Sequence, residues 1–91
     1  MAPKVVDLKK AITATEQEVL PPNPGRVYAL LVNDGDNVIY LGMSQPATAN
    51  RGIRLNALGG SYEITLINPF TGGIHAVCAG ALTSSLVLVE W

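Results

Sequence analysis

The stretch "VNDGDNVIYLG", Val32 to Gly42, sets four amide or acidic side chains, Asn33, Asp34, Asp36 and Asn37, around Gly35. Oxygen-bearing residues spaced around a glycine suit a calcium loop. The same letters between two apolar runs suit a chain reversal. A calcium loop of the EF-hand kind needs a ladder of ligands ending in a bidentate glutamate at its twelfth position. Counted from Asn33 that position is Ser44, and no helical pattern flanks the segment. Asp-Gly between "RVYALLV" and "NVIYLGM" is instead a strong hairpin signal, because type I′ turns require φ > 0 at their central residues. The expectation is a tight turn at Asp34 and Gly35.

Working outward, the same grammar repeats. In "SYEITL", Tyr62, Ile64 and Leu66 alternate with Ser61, Glu63 and Thr65, the period-2 pattern of a half-buried strand. "RVYALLV" and "SLVLVEW" are apolar on both faces, as strands covered on two sides are. Clusters of Gly, Pro, Asn and Ser fall at 21–25, 33–37, 44–52, 56–60, 68–73 and 79–85. They mark off about seven short strands, the rhythm of a sandwich or barrel. The first of these is "AITATEQEVL" and the last runs to Trp91. Residues 1–10 read as an N-terminal arm, extended or briefly helical, because Val5, Leu8 and Ile12 have helical spacing but Thr13 and Thr15 follow at once. The fold class is therefore all-β: a compact sandwich or tulip-like barrel of short antiparallel strands over 11–91, with an arm over 1–10.

Composition narrows the function. The chain has 91 residues, 48% hydrophobic and only 14% charged, with a net charge of −1. That balance gives no basis for nucleic-acid or anionic-membrane binding. The start, "MAPKVVDLKK", has no apolar stretch of signal-peptide length, and no run approaches the roughly 20 residues of a membrane helix. The single cysteine, Cys78, excludes an internal disulfide and a multi-cysteine zinc site. His75, the only histidine, has no second histidine for a metal site or a triad within one chain. It faces opposite to Cys78, which reads as a small buried apolar residue. Glu16, Glu18 and Glu63 read as solvated strand carboxylates, and Arg26, Arg51 and Arg54 as exposed residues near turns. Gly59-Gly60 and Gly72-Gly73 lack the lysine and the strand–helix setting of a phosphate loop. The reading is of a protein with no catalytic residue, no metal ligand and no cofactor.

Charge distribution is more informative than total charge. From Ile64 to Val89, a run of 26 residues, there is no Asp, Glu, Lys or Arg. In the last strand Val87, Val89 and Trp91 point one way, and Leu86 and Leu88 the other. One set fills the core, and the second needs cover from another element or another subunit. Val87, Leu88, Val89 and Trp91 are the expected residues of an oligomer interface.

The arrangement "VLPPNPGRVYALLVNDGDNVIYLG", then "GIRLNALGGSYEI", then "IHAVCAG" and a closing alternating strand, resembles small β-rich proteins from the structural modules of tailed bacteriophages. The resemblance covers roughly residues 11–91 and rests on Arg26, Asn33, Gly35, Tyr40, Gly42, Gly52, Leu55, Gly60 and Tyr62. Several proteins of this kind are capsid decoration, or cement, proteins that sit as trimers on the outside of the head. The resemblance implies a homotrimer that binds the major capsid protein in the virion, after synthesis in the bacterial host cytoplasm. Lys4, Lys9 and Lys10 of the arm are then the expected capsid contacts. One departure is that Leu58 stands before Gly59-Gly60, where such sequences often read Pro-Gly-Gly. The alternative function is a glycan- or receptor-binding module of a tail or head fibre, for which Phe70, Trp91, Tyr28, Tyr40 and Tyr62 are the available aromatics.

Overall fold

The structure, a computed structural model, describes residues 6–80 and 82–91. Among these residues all regular structure is strand: β1 (Val6–Ile12), β2 (Gln17–Leu20), β3 (Ala29–Asn33), β4 (Ile39–Met43), β5 (Ile53–Leu55), β6 (Ser61–Ile64), β7 (Ile74–Cys78) and β8 (Ser84–Glu90). They form two four-stranded antiparallel sheets, β1-β8-β3-β6 (sheet A) and β2-β7-β4-β5 (sheet B). The all-β sandwich expected from the alternation is present, with eight strands in place of about seven.

The chain changes sheet at almost every connection. Only β4 and β5 are neighbours both in sequence and in a sheet. The segment between β3 and β4 is therefore a corner linking the two sheets, and the expected type I′ hairpin at Asp34-Gly35 is corrected. Gly35 is absent from the positive-φ residues, so it does not serve by reaching the left-handed region. It serves by being small: a Cβ there would lie 2.0 Å from Ser84 Oγ and 2.7 Å from the Ser85 backbone nitrogen. The corner can press against the start of β8 only without a side chain.

Asn33 organises the same corner from inside. It is 0% exposed. Its Nδ2 donates to the carbonyls of Asn37 (2.7 Å) and Leu55 (3.0 Å), and its Oδ1 accepts from the Gly35 N–H (3.1 Å) and the Ser84 hydroxyl (2.8 Å). Two donors and two lone pairs are all the amide has, and all four are used. Within "VNDGDN" it is the Asn33 side chain that ties three segments together, while Asp34 and Asp36 are exposed.

Two further expectations change. The arm assigned to 1–10 is, from Val6 onward, an edge strand: β1 pairs with β8 through Val6–Glu90 to Ile12–Ser84. The expected first strand, 11–20, is consequently split, since Ile12 closes β1 in sheet A and β2 begins at Gln17 in sheet B. Val6, Leu8 and Ile12 alternate inward on β1, with Lys10 taking the fourth inward place at the open rim, where a long charged chain is tolerated and discourages further strand addition. Leu88 is also reassigned. It is 0% exposed among Leu31, Leu41, Ile74 and Leu86, so it belongs to the core and not to an interface.

Arg26 is the least expected core residue. Its side chain is fully buried and pairs with buried Glu90 through Nε at 2.5 Å. Its remaining donors reach the carbonyls of Phe70 (3.1 Å), Gly72 (3.0 Å) and Pro21 (3.0 Å). The guanidinium fork thus pins two loops to the end of β8, a task for which lysine has the wrong geometry. The turn before β6 takes Leu58 through φ 60°, a conformation closed to proline, so this turn differs in backbone from Pro-Gly-Gly.

Candidate interaction surface

The two outer faces of the sandwich are treated differently. On sheet B the outward residues Tyr40 and Val77 are each 6% exposed, because the long β4–β5 connection folds over them and seats Ala47 and Ala49 on the sheet. Left-handed backbone at Ser44, Asn50 and Gly52 bends that loop back. The Tyr40 hydroxyl bonds Asn50 (3.1 Å), and the Ser44 N–H bonds the Gly73 carbonyl (2.7 Å). Sheet B carries its own lid.

Sheet A carries none. Register places Lys9, Val87, Val32 and Ser61 in one row across its outer face, and Asp7, Val89, Leu30 and Glu63 in the next. The four apolar members stand on the two central strands and are each only partly buried. At one end the ladder is extended by Tyr28 and Trp91, whose backbones exchange hydrogen bonds at 3.0 Å and whose rings stack with centroids 4.5 Å apart. The result is an apolar stripe on β8 and β3, with Asp7 and Lys9 on one flank and Glu63 and Ser61 on the other.

Beyond the aromatic pair the surface opens into a cleft of about 670 Å³ lined by Val27, Tyr28, Glu63, Leu66, Ile67 and Trp91. The Tyr28 hydroxyl donates to Glu63 at 2.6 Å. That hydrogen bond, with lesser help from desolvation and the carboxylate's charge, holds the phenol above its ordinary value. Leu66 and Ile67 are 76% and 97% exposed. They project because Thr65 Oγ1 accepts from the N–H groups of Ile67 and Asn68, both at 3.2 Å, closing the turn beneath them.

The polar residues singled out from the sequence fall elsewhere. His75 lies on the outward side of β7, with Nδ1 bonded to Glu16 and Nε2 3.8 Å from Glu18. The carboxylates meet opposite edges of the ring, which makes a clamp and not a converging set of ligands. Glu16 also accepts from the Ala47 N–H at 3.4 Å, so the clamp helps anchor the lid of sheet B. Cys78 points into the core, and burial pushes its thiol up, away from the reactive thiolate. Of the expected arm contacts, Lys9 lies on the outer face of β1 and Lys10 at the sandwich rim, while Lys4 lies outside the described residues. Val87, Val89 and Trp91 share the outer face of sheet A, as the alternation implied. Leu30, Val32 and Asp7 share that face; the two-sided apolarity of "RVYALLV" signals the need for cover at Leu30 and Val32, and no local signal places Asp7 beside them.

The chain matches no protein-family model, no curated protein and no solved structure.

Proposed function

We propose that this protein is a non-enzymatic decoration protein of a tailed-bacteriophage capsid, self-associating and binding the major capsid protein on the outer head surface. The observation that carries the reading is the bare apolar face of sheet A, in a molecule whose other outer face is lidded. Such a face is a place for protein contact, since small monomers seldom leave a continuous apolar stripe uncovered. The sequence resemblance supplies the setting. The positions behind that resemblance include Arg26, Asn33, Gly35, Leu55 and Tyr62, which hold corners and core together. The likeness is therefore one of architecture. Several modest contacts made by one oligomer add up through effective concentration, which suits a clamp across neighbouring capsid subunits. Mass analysis of purified particles, with copy number, is the test: hundreds of copies per particle support the shell, and a handful or none overturn it.

A second reading is a glycan- or receptor-binding module on a fibre. The stacked Tyr28–Trp91 pair beside the Glu63 carboxylate favours it, because sugars are held by aromatic faces together with hydrogen-bonding groups. A glycan array with wild type and Trp91→Ala decides it: specific binding lost in the variant supports this reading, and silence from the wild type removes it.

A further inference from the structure

We propose that the outer face of sheet A docks a second copy of the same chain, face to face, about a two-fold axis that lies in the interface and runs across the strands. The proposal rests on the self-association in the reading above and is independent of the capsid. It comes from the order of side chains on the face. One row reads Lys9, Val87, Val32, Ser61 and the next reads Asp7, Val89, Leu30, Glu63. A two-fold axis running across the sheet midway between these rows lays each row on the other. Lys9 then meets the partner's Asp7, and Asp7 meets the partner's Lys9. Val87 meets Val89, Val32 meets Leu30, and Ser61 offers a hydroxyl to Glu63. An axis parallel to the strands would set β1 over β6 and bring Asp7 against Glu63, two carboxylates. Like charges facing each other disfavour an interface, so the charges select the first arrangement.

The geometry is that of ordinary sheet packing. Face-to-face sheets lie about 10 Å apart with strands within roughly 30° of each other, which lysine and aspartate side chains at the rim can bridge. A ring of three would need the same face to fit a different surface of the next copy. Among the described residues the only other outer sheet face is occupied by its own loop. Size sets the expected strength. Four strands at ~4.8 Å by seven residues at ~3.3 Å give a flat footprint of about 440 Å², below the ~800 Å² per partner usual in stable complexes. The pair is therefore reversible and concentration-dependent.

Sedimentation velocity across a concentration series, on wild type and three charge variants, tests it. Wild type is expected to move from monomer to dimer as concentration rises. Lys9→Asp and Asp7→Lys, each at an exposed edge position, are expected to weaken the dimer by about tenfold or more, and the double swap Asp7→Lys/Lys9→Asp to restore it. Zero-length carbodiimide coupling of a mixed ¹⁴N/¹⁵N wild-type sample adds a readout that needs no variant: mixed-isotope Asp7–Lys9 cross-links are expected. A monomer at every concentration, a trimer, single variants that dimerise normally, or a double swap that stays monomeric would overturn the two-fold pair. The particle copy number is indifferent to all of these, so the capsid location and the two-fold pair fail separately.

Discussion

Replacing Gly35 separates the left-handed turn that Asp-Gly suggests from the close packing that the structure shows. If Gly35 were there to reach φ > 0, asparagine, which tolerates the left-handed region, would be its mildest replacement and alanine a worse one. Crowding predicts the opposite order. An alanine Cβ would meet Ser84 Oγ at 2.0 Å, the Ser85 nitrogen at 2.7 Å and Ser84 Cα at 3.0 Å. The hydroxyl can rotate away, but it then leaves Asn33, at about 1 kcal/mol for a hydrogen bond. The backbone atoms belong to β8, and the Asp34 N–H is bonded to the Ser85 carbonyl at 2.8 Å, so relief means moving strand or corner. Overpacking of that kind costs about 1–3 kcal/mol. The sum for Gly35→Ala is about 2–4 kcal/mol, a large share of the roughly 5–15 kcal/mol that stabilises a domain. At about 4–8 °C per kcal/mol, Tm should fall by at least 8 °C. Asparagine, bulkier at the same point, should fall further. Thermal and urea melts by circular dichroism, at one low protein concentration, give both numbers. Asparagine proving milder than alanine, or alanine leaving Tm within a degree or two of wild type, would refute the crowding argument and restore the left-handed turn.

Other expectations follow from single side chains. Arg26→Met leaves Glu90 as an unpaired buried charge and three carbonyls without a donor, so a loss of about 3–5 kcal/mol is expected in urea melts, partly recovered in Arg26→Met/Glu90→Leu. The Tyr28 phenol titrates above its usual value, so its bond to Glu63 contributes to stability below pH ~10, the unfolded value, and is lost as pH climbs through the raised folded one. Glu63→Gln should bring Tyr28 back down, read as the tyrosinate signal in an NMR titration. The Cys78 thiol should react with a disulfide reagent only as fast as the protein opens, and a rapid stoichiometric reaction in the folded state would contradict its place in the core.

The strands were legible because alternation and breakers are local properties. Tyr62 and Ile64 face inward, as "SYEITL" implies, and His75 and Cys78 take opposite faces, as their spacing requires. The partnership of strands was not legible. Asp-Gly, Asn-Pro and Gly-Gly suit a hairpin and a corner between sheets equally well, and here nearly every such cluster is a corner. The Arg26–Glu90 pair joins residues 64 positions apart, and nothing in either neighbourhood distinguishes a buried arginine from an exposed one. Residues 6–10 resemble an arm because the helical spacing of Val5, Leu8 and Ile12 is cut short by Thr13 and Thr15, and only the register with β8 shows an edge strand there. Leu30 and Val32 were legible as needing cover. That they stand beside Val87 and Val89 is a fact of topology.

The charge-free run from Ile64 to Val89 acquires a cause once the sheet order is known. Each four-stranded sheet has two edge strands and two central ones, and β7 and β8, the two strands that lie almost wholly within that run, are central. Every edge strand carries charge: Asp7, Lys9 and Lys10 on β1, Glu18 on β2, Arg54 on β5, Glu63 on β6. The central strands β3, β4 and β7 carry no Asp, Glu, Lys or Arg, and β8 has only Glu90, which Arg26 neutralises. Charged edges oppose the sideways addition of another chain. The strand part of the run is therefore explained within one molecule, by inner residues in the core and by Val77 beneath the lid of sheet B. What the single chain leaves uncovered includes the Val87, Val89, Leu30 and Val32 stripe, the Leu66–Ile67 tip beside Trp91, and the isolated Leu58 and Leu82 on separate loops. With edges guarded and sheet B closed, contact through the outer face of sheet A is the route to association that this distribution of charge leaves open.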